Sequence, residues 1–218
     1  MMKKEFRTLV IIAVSIGATL ACRAQSESSD LLIRFRGVHP SEEQDWDSGA
    51  GVELQARFWQ SENVGFSLAA GIGSWDVVSE YLEEFDEYGY YSSVIEGDAS
   101  VIPVGGSLWF RGAPSPAIKL TFEAGLRYLI VESDIYASAY LEDVDGTFSS
   151  YDRIEIDNAL VSILGVHLEA QVSDSFALHA GLGYQHDLTG PEETVLGESL
   201  GETDFSGTLF TIGAAVKF

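Results

Sequence analysis

Cysteine is almost absent from this sequence of 218 residues, and the one present, Cys22, lies at the end of an N-terminal apolar segment. If that segment is removed, the remaining chain has no thiol, which excludes disulfides and thiol chemistry. Basic residues are also scarce, with 12 Lys and Arg against 34 Asp and Glu. The net charge of −22 repels polyanions, so nucleic acid is not expected as a partner.

The N-terminus has the parts of a secretory signal. Three basic residues open it: Lys3, Lys4 and Arg7. The apolar run Thr8–Ala21 has 14 residues, fewer than the roughly 20 that a membrane-spanning helix needs. We therefore expect residues 1–24 to be a signal peptide and residues 25–218 to form one domain. Lipid modification of Cys22 is the alternative, although Thr19 stands where lipoprotein signals usually carry Leu.

No apolar run of helix length follows the signal, and the chain alternates with period two instead. Large apolar residues occupy one face of each segment, and small or ionic residues occupy the other. A soluble barrel has its large residues inside, whereas this arrangement is typical of a barrel in lipid. The pattern predicts an all-β fold, an eight-stranded antiparallel up-and-down transmembrane β-barrel. The predicted strands lie near Leu31–Val38, Gly49–Gln60, Val64–Asp76, Ala99–Arg111, Ile118–Glu132, Asn158–Val172, Phe176–Leu188 and Gly207–Phe218.

The connections alternate in length. Short ones follow the second, fourth and sixth strands, and long ones are predicted at residues 39–48, 77–98, 133–157 and 189–204. This is the layout of outer-membrane barrels, whose short turns face the periplasm. Pro103 interrupts the fourth strand and predicts a bulge or a local break there.

The alternating hairpins, the Gly-rich inner faces, Ile102-Pro103-Val104 and the terminal Val216-Lys217-Phe218 resemble small, porin-like bacterial outer-membrane β-barrel proteins. The resemblance is one of pattern and covers residues 31–218. It implies residence in the Gram-negative cell outer membrane, in contact with outer-membrane lipid. It also implies that the barrel assembly machinery reads the last strand, with Phe210 and Phe218 as the assembly signal.

Charged residues within the strands have mostly inward parity. An ion on the lipid face of a barrel costs about 2–4 kcal/mol near the bilayer midplane, and eight strands leave an interior that side chains nearly fill. A plugged, polar lumen is therefore predicted, with Trp59 and Trp109 as further plugs near its periplasmic end. The predicted lumen network comprises Arg34, Arg36, Glu53, Arg57, Arg111, Glu123, Arg127, His167, Glu169, His179 and Lys217.

Candidates for chemistry are few. His167, Glu169 and His179 could form an acid/base or metal site, but a closed lumen gives a substrate no access, so a bracing network is favoured. Lipid-modifying barrels use an outward His, Ser and Glu; His39-Pro40-Ser41 lacks the Glu, and His186 lacks a nearby Ser in sequence. We therefore predict no catalytic residue, no cofactor and no resident metal.

Acidic residues concentrate in the long connections. Glu142–Gly146 resembles part of a calcium loop, although a solvated acidic turn is favoured and divalent cations at these loops stay an alternative. Several aromatic residues could form either a binding surface or the interfacial girdle of a barrel. They are Trp46, Trp75, Tyr81, Tyr88, Tyr90 and Tyr91.

The expected function is that of an integral outer-membrane barrel with a non-enzymatic, structural or surface-interaction role and acidic extracellular loops. Three alternatives stay open: a channel for small solutes or lipids, a lipid-modifying enzyme, and a soluble lipocalin-type barrel. Conductance, activity on lipid and solubility without detergent would separate them.

Overall fold

The computed structural model describes residues 28–40, 46–77, 80–85, 89–112, 115, 117–143 and 146–218. The predicted signal peptide and Ser41 lie outside these ranges. Within them, no helix is both long and apolar enough to cross a membrane. The strands are β1 (Ser28–Pro40), β2 (Trp46–Trp59), β3 (Val64–Val77), β4 (Glu80–Phe85), β5 (Gly89–Gly112), β6 (Ile118–Asp143), β7 (Gly146–Ile156), β8 (Ala159–Gln171), β9 (Phe176–Asp187), β10 (Glu192–Val195), β11 (Glu198–Glu202) and β12 (Gly207–Lys217).

Eight of these strands close into a ring. Its order is β1, β2, β3, β5, β6, β8, β9 and β12, and every pairing is antiparallel. The ring closes where β12 pairs with β1, from Asp30↔Lys217 to Pro40↔Gly207. All eight predicted strands lie on ring strands, so the predicted eight-stranded antiparallel barrel is confirmed.

The pleat of each strand sorts side chains between lipid and lumen. On β1, Phe35 is 63% exposed on the outside, whereas its neighbour Arg34 is fully buried inside. On β6, the outward apolar residues run from Leu120 to Ile130 and give way to Glu132. That band is as long as the 9–11 residues that a tilted strand needs to cross a bilayer. Phe58 departs from its outward neighbours, because it is buried and packs on Phe66 with ring centroids 5.1 Å apart.

The predicted long connections after β3 and β6, and much of the one after β9, are wrong as loops, because the structure extends them as strands. β5 has 24 residues and β6 has 26, and the two remain paired up to Gly89↔Asp143. β4 pairs with β5, β7 with β6, and the β10–β11 hairpin with β7. These added strands lie at one end of the barrel, which we call the upper rim; the opposite end is the lower rim. The sheet that extends from the upper rim has the strand order β11-β10-β7-β6-β5-β4, and we call it the upper sheet.

Pro103 breaks one ladder without shifting it. The pairs between β3 and β5 run to Ala70↔Val104 and resume at Gly73↔Val101 in the same register, so a local break is present and a bulge is not. Proline has no backbone N–H to donate across the ladder, which explains the gap. On its other side, Pro103 keeps its place opposite Leu129 of β6.

The seam between β1 and β12 depends on Gly213. A Cβ at this position would collide with the carbonyl oxygen of Ile33 and would lie 2.8 Å from the Cα of Arg34. At Gly37 on β1, a Cβ would meet no atom within 4 Å. We therefore expect Gly213→Ala to lower the free energy of unfolding by about 1–3 kcal/mol, as overpacking does, and Gly37→Ala to change it by no more than about 0.5 kcal/mol.

Urea unfolding of both variants in detergent micelles, followed by tryptophan fluorescence, measures the difference. Equal unfolding midpoints for the two alanine variants would show that the seam tolerates a side chain at Gly213.

Candidate functional site

The centre of the lumen holds a network of buried ions. Arg34 donates to Glu53 over 2.7 Å and to Glu123 over 2.7 Å, while Arg127 donates to the same two carboxylates over 2.9 and 3.1 Å. Arg36 joins from above through Glu53 at 3.0 Å. Three guanidinium groups thus surround two carboxylates, and all five side chains are at most 8% exposed.

Neutral donors add further hydrogen bonds to this central network. Gln55 donates to Glu53 over 2.7 Å and to Glu123 over 3.1 Å, and Ser107 donates to Glu123 over 2.7 Å. Arg36 also donates to the side-chain oxygen of Gln185 over 2.7 Å. A buried ion is tolerated when it is both paired and hydrogen-bonded, and these donors supply the second condition.

The ion pairs cross the full width of the barrel. Arg34 lies on β1 and Glu123 on β6, which stand four places apart in a ring of eight strands and therefore face each other. The same holds for Arg57 on β2 and Glu169 on β8, which form an ion pair. Side chains from opposite walls therefore meet inside the barrel at both levels.

A second network lies below the first. Arg57 binds Asp30 over 2.5 Å as well as Glu169, and Arg111 lies 3.4 Å from Glu169. Two guanidinium groups and two carboxylates balance each other here. The indole of Trp59 donates to Asp30 over 2.8 Å, which adds an aromatic wall to the cluster.

Two tryptophans seal the lower half of the lumen. Trp59 is 1% exposed and Trp109 is fully buried, in a small apolar cluster with Leu32 and Ala215. The guanidinium carbon of Arg111 lies 3.3 Å from the ring centre of Trp59, and that of Arg57 lies 5.1 Å from Trp109. Cations over aromatic faces are attracted to the ring, so the tryptophans stabilise the ions as well as filling space.

The two lumen histidines stack on each other. The ring centroids of His167 and His179 are 4.7 Å apart, with His167 Nε2 at 3.3 Å from Glu123 and His179 Nδ1 at 3.7 Å from Glu169. Gly181 leaves room for the imidazole of His167, because a Cβ there would collide with it. Both histidines are at most 2% exposed, so this geometry fits a brace between the two networks rather than a site that a substrate can reach.

Within the described ranges, no group of three or more His, Cys, Asp or Glu side chains is placed to hold a metal ion. The candidate calcium segment Glu142–Gly146 includes Val144 and Asp145, which lie outside the described residues.

The structure brings together ten of the eleven predicted network residues. Lys217 stands apart near the lower rim, where its Nζ donates to Gln171 over 3.3 Å. Asp30 was missed because the first predicted strand began at Leu31, three residues after the start of β1 at Ser28; its parity with Leu32 and Arg34 was the available signal. Phe210 and Phe218 point outward on and just after β12, with 53% and 76% of their surface exposed.

The upper half of the lumen is apolar, which corrects the prediction of a polar lumen at this level. Its buried cluster includes Val101, Leu129, Ile163 and Phe205, from three ring strands and the segment before β12. Trp75 also lies here, 5% exposed and edge-on to Phe205, and therefore belongs neither to a girdle nor to a surface. The cavity at this level measures about 40 Å³, which is room for about three waters at most.

The outward histidine near the upper rim has a serine partner that sequence spacing did not show. His186 Nδ1 lies 3.3 Å from Ser206 Oγ, and that oxygen accepts the backbone N–H of Asp187 over 2.9 Å. Ser206 is only 3% exposed. A catalytic nucleophile must be accessible to its substrate, and this serine is buried. Its hydrogen bonds instead fit a structural role, in which they hold the segment before β12 against the end of β9.

Comparison with known proteins gives a likeness of fold. No protein-family model matches the chain, and no curated protein matches its sequence. Among solved structures, the outer membrane protein OprG from Pseudomonas aeruginosa is 13% identical with a TM-score of 0.59, over 88% of this chain and 96% of that one. Neisserial surface protein A is also 13% identical, with a TM-score of 0.49, over 88% of this chain and 97% of that one.

Proposed function

Because the chain has the fold of small bacterial outer-membrane β-barrels, we propose that it is an integral outer-membrane protein without enzymatic activity, whose sealed barrel anchors an external sheet for surface interactions. The outward apolar band supports the location, since it is one bilayer long and ends at charged residues. In this proposal the upper rim faces the outside of the cell and the lower rim, with its short turns, faces the periplasm.

The ion pairs that cross the lumen are the observation that carries the proposal. Arg34–Glu123 and Arg57–Glu169 join opposite walls at two levels, and Trp59 and Trp109 fill the space around the lower pair. A solute would have to break both ionic layers at once. The barrel therefore serves as an anchor, and the part left to meet other molecules is the upper sheet.

Single-channel recording tests the seal. Protein extracted from the outer-membrane fraction and reconstituted in planar bilayers should give no stable stepwise current. The control is the double variant Arg34→Ala with Glu123→Ala. It removes the ion pair that crosses the lumen in the central network and should raise the frequency of channel openings. Stable conductance of the unaltered protein would favour the channel alternative, and recovery of the protein in the soluble fraction would contradict the membrane location.

The apolar upper lumen is the observation that favours lipid handling as a second candidate. Its cavity is far smaller than the roughly 300–1,000 Å³ of ligand pockets, so this role would require the wall to open. The lipocalin-type alternative has less support, because Leu126 and Ile212 point away from the lumen with more than half of their surface exposed.

Assembly and ion binding belong to the same proposal. Phe210 and Phe218 are offered as the signal for the barrel assembly machinery, supported by their outward, exposed position on and just after β12. Divalent cations are proposed only as ligands of the acidic outer segments, where carboxylate oxygens are plentiful.

A further inference from the structure

The outward face of the upper sheet carries an aromatic strip, which we define as Tyr90, Tyr136, Tyr140 and Tyr151. Tyr136 of β6 stacks on Tyr151 of β7, with ring centroids 4.9 Å apart and planes inclined by 14°. Tyr140 of β6 meets Tyr90 of β5 with centroids 6.0 Å apart. Tyr151 is 67% exposed. The four rings thus cross three neighbouring strands on one face.

This face lies beyond the lipid band. Tyr136 and Tyr140 have the same parity as Tyr128, the last outward aromatic residue of the band on β6, but stand eight and twelve residues further along the strand. Glu132 and Asp134 lie between the band and the strip. A girdle at the lipid boundary would sit at the level of Tyr128, so the strip needs another explanation.

Serine fills most of the positions between the rings. Ser92 and Ser149 flank Tyr140 in the ladder, and Ser138 pairs with Tyr151. A surface of tyrosine and serine supplies large, rigid rings with adaptable hydroxyls, which is the composition that antibody paratopes use for binding.

Carboxylates border the strip on its membrane side. Asp98 pairs with Asp134 directly across the ladder, and Glu96 pairs with Tyr136. The Tyr136 hydroxyl lies 2.9 Å from an Asp134 oxygen. Arg153, the cation opposite Tyr136, donates to the uncharged backbone oxygen of Ser133 and keeps its own charge. Three carboxylates against this one cation leave the border net negative beside electron-rich rings.

We propose that the aromatic strip is a docking surface for an extended polypeptide segment rich in Arg and Lys. Guanidinium and ammonium groups are attracted both to the faces of tyrosine rings and to carboxylates, so this one chemistry uses both features. The net negative charge of the whole chain also favours a cationic partner, because the sequence has 34 acidic residues and 12 basic ones. This inference rests on the proposed function, since it names the class of partner for the external sheet.

The test is binding of a short fluorescent peptide of alternating Gly and Arg to the full-length protein in detergent micelles, measured by anisotropy. Tyr151→Ser and Tyr136→Ser should each weaken binding about two- to fivefold, the range of exposed cation–π contacts. Phe148→Ser is the matched control: it lies on the same strand as Tyr151 and is 63% exposed, but has the opposite parity. It should leave the affinity unchanged.

Two further arms complete the test. Asp98→Asn with Asp134→Asn should weaken peptide binding and flatten its dependence on salt, because screening acts on the charges they remove. A neutral oligosaccharide is the competing class of ligand; binding of the sugar, lost in the tyrosine variants, with no peptide binding would overturn the proposal. Equal peptide affinities for Tyr151→Ser, Tyr136→Ser and Phe148→Ser would overturn it too. Either result leaves the sealed barrel intact if conductance is still absent, so the two proposals fail separately.

Discussion

Glu123→Gln is expected to lower the free energy of unfolding of the barrel by about 3–5 kcal/mol, the cost of leaving buried charges without a partner. Glu123 accepts hydrogen bonds from Arg34, Gln55, Ser107 and Arg127. An amide in its place turns an NH₂ group toward some of these donors. Three guanidinium groups would then share the single carboxylate of Glu53. Unfolding in urea, with the folded fraction followed by the heat-dependent shift of its band in gels, measures the loss.

The matched control for Glu123→Gln is Glu132→Gln. Glu132 lies on the same strand but is exposed above the apolar band, so its neutralisation should change stability by no more than about 0.5 kcal/mol. Adding Arg127→Met to Glu123→Gln should restore part of the loss, because it removes one unpaired cation. If Glu123→Gln and Glu132→Gln unfold at the same urea concentration, the lumen network does not contribute the stability assigned to it.

Trp109→Ala is expected to cost about 3–5 kcal/mol, as large-to-small changes in a packed core do. Trp109 is fully buried, donates to Ser67 over 3.0 Å and packs against the rings of both lumen histidines. Its removal would leave a void on the barrel axis beside Arg57, which loses an aromatic face. Water would enter that void. We therefore expect ions to pass the level of Arg57 more easily, together with the loss of stability.

The control for Trp109→Ala is its neighbour Phe110→Ala. Phe110 is 48% exposed on the lipid side and fills no cavity, so its loss should cost less than half as much. Denaturant unfolding in lipid vesicles ranks the two variants, and current recordings show whether Trp109→Ala alone admits ions. If Phe110→Ala lowered the free energy of unfolding more than Trp109→Ala does, the main packing energy at this level of the barrel would lie outside the lumen.

The alternation of residue types along each strand was enough to predict the ring. Alternate residues face lipid, which favours apolar side chains, and the lumen, which accommodates ions. Arg34, Glu53 and Glu123 could be placed inside from sequence, since an ion on the other face would lie in hydrocarbon. Which ion meets which could not be predicted, because Arg34–Glu123 joins strands 89 residues apart and depends on the closed ring. The contact of His186 with Ser206 was missed for another reason: the chain leaves the barrel after β9 and returns beside it, where β12 pairs with β9 from Gly207↔Gln185.

The upper sheet was missed because its sequence lacks the apolar alternation of the lipid band. Segments such as Ser133–Asp143 carry serine, tyrosine and acids on the outward side, which reads as a loop. Their strand character comes from the neighbour instead: β5 and β6 are already in register at the membrane, and each further pair extends the ladder at little added cost in chain entropy. The apolar upper lumen was missed because Val161 and Ile163 of β8 fall before the polar inward residues that set the prediction.

The upper sheet rises from one side of the barrel only, because β5 and β6 are about twice as long as β8, β9 or β12. Its tyrosine face looks away from the barrel axis, as the lipid-facing side chains beneath it do. In the proposed orientation, with the upper rim outside the cell, a molecule bound there would approach from the side of the barrel, between it and its neighbours in the membrane, and not from directly above. How densely neighbouring proteins are packed would then govern occupancy as much as affinity does.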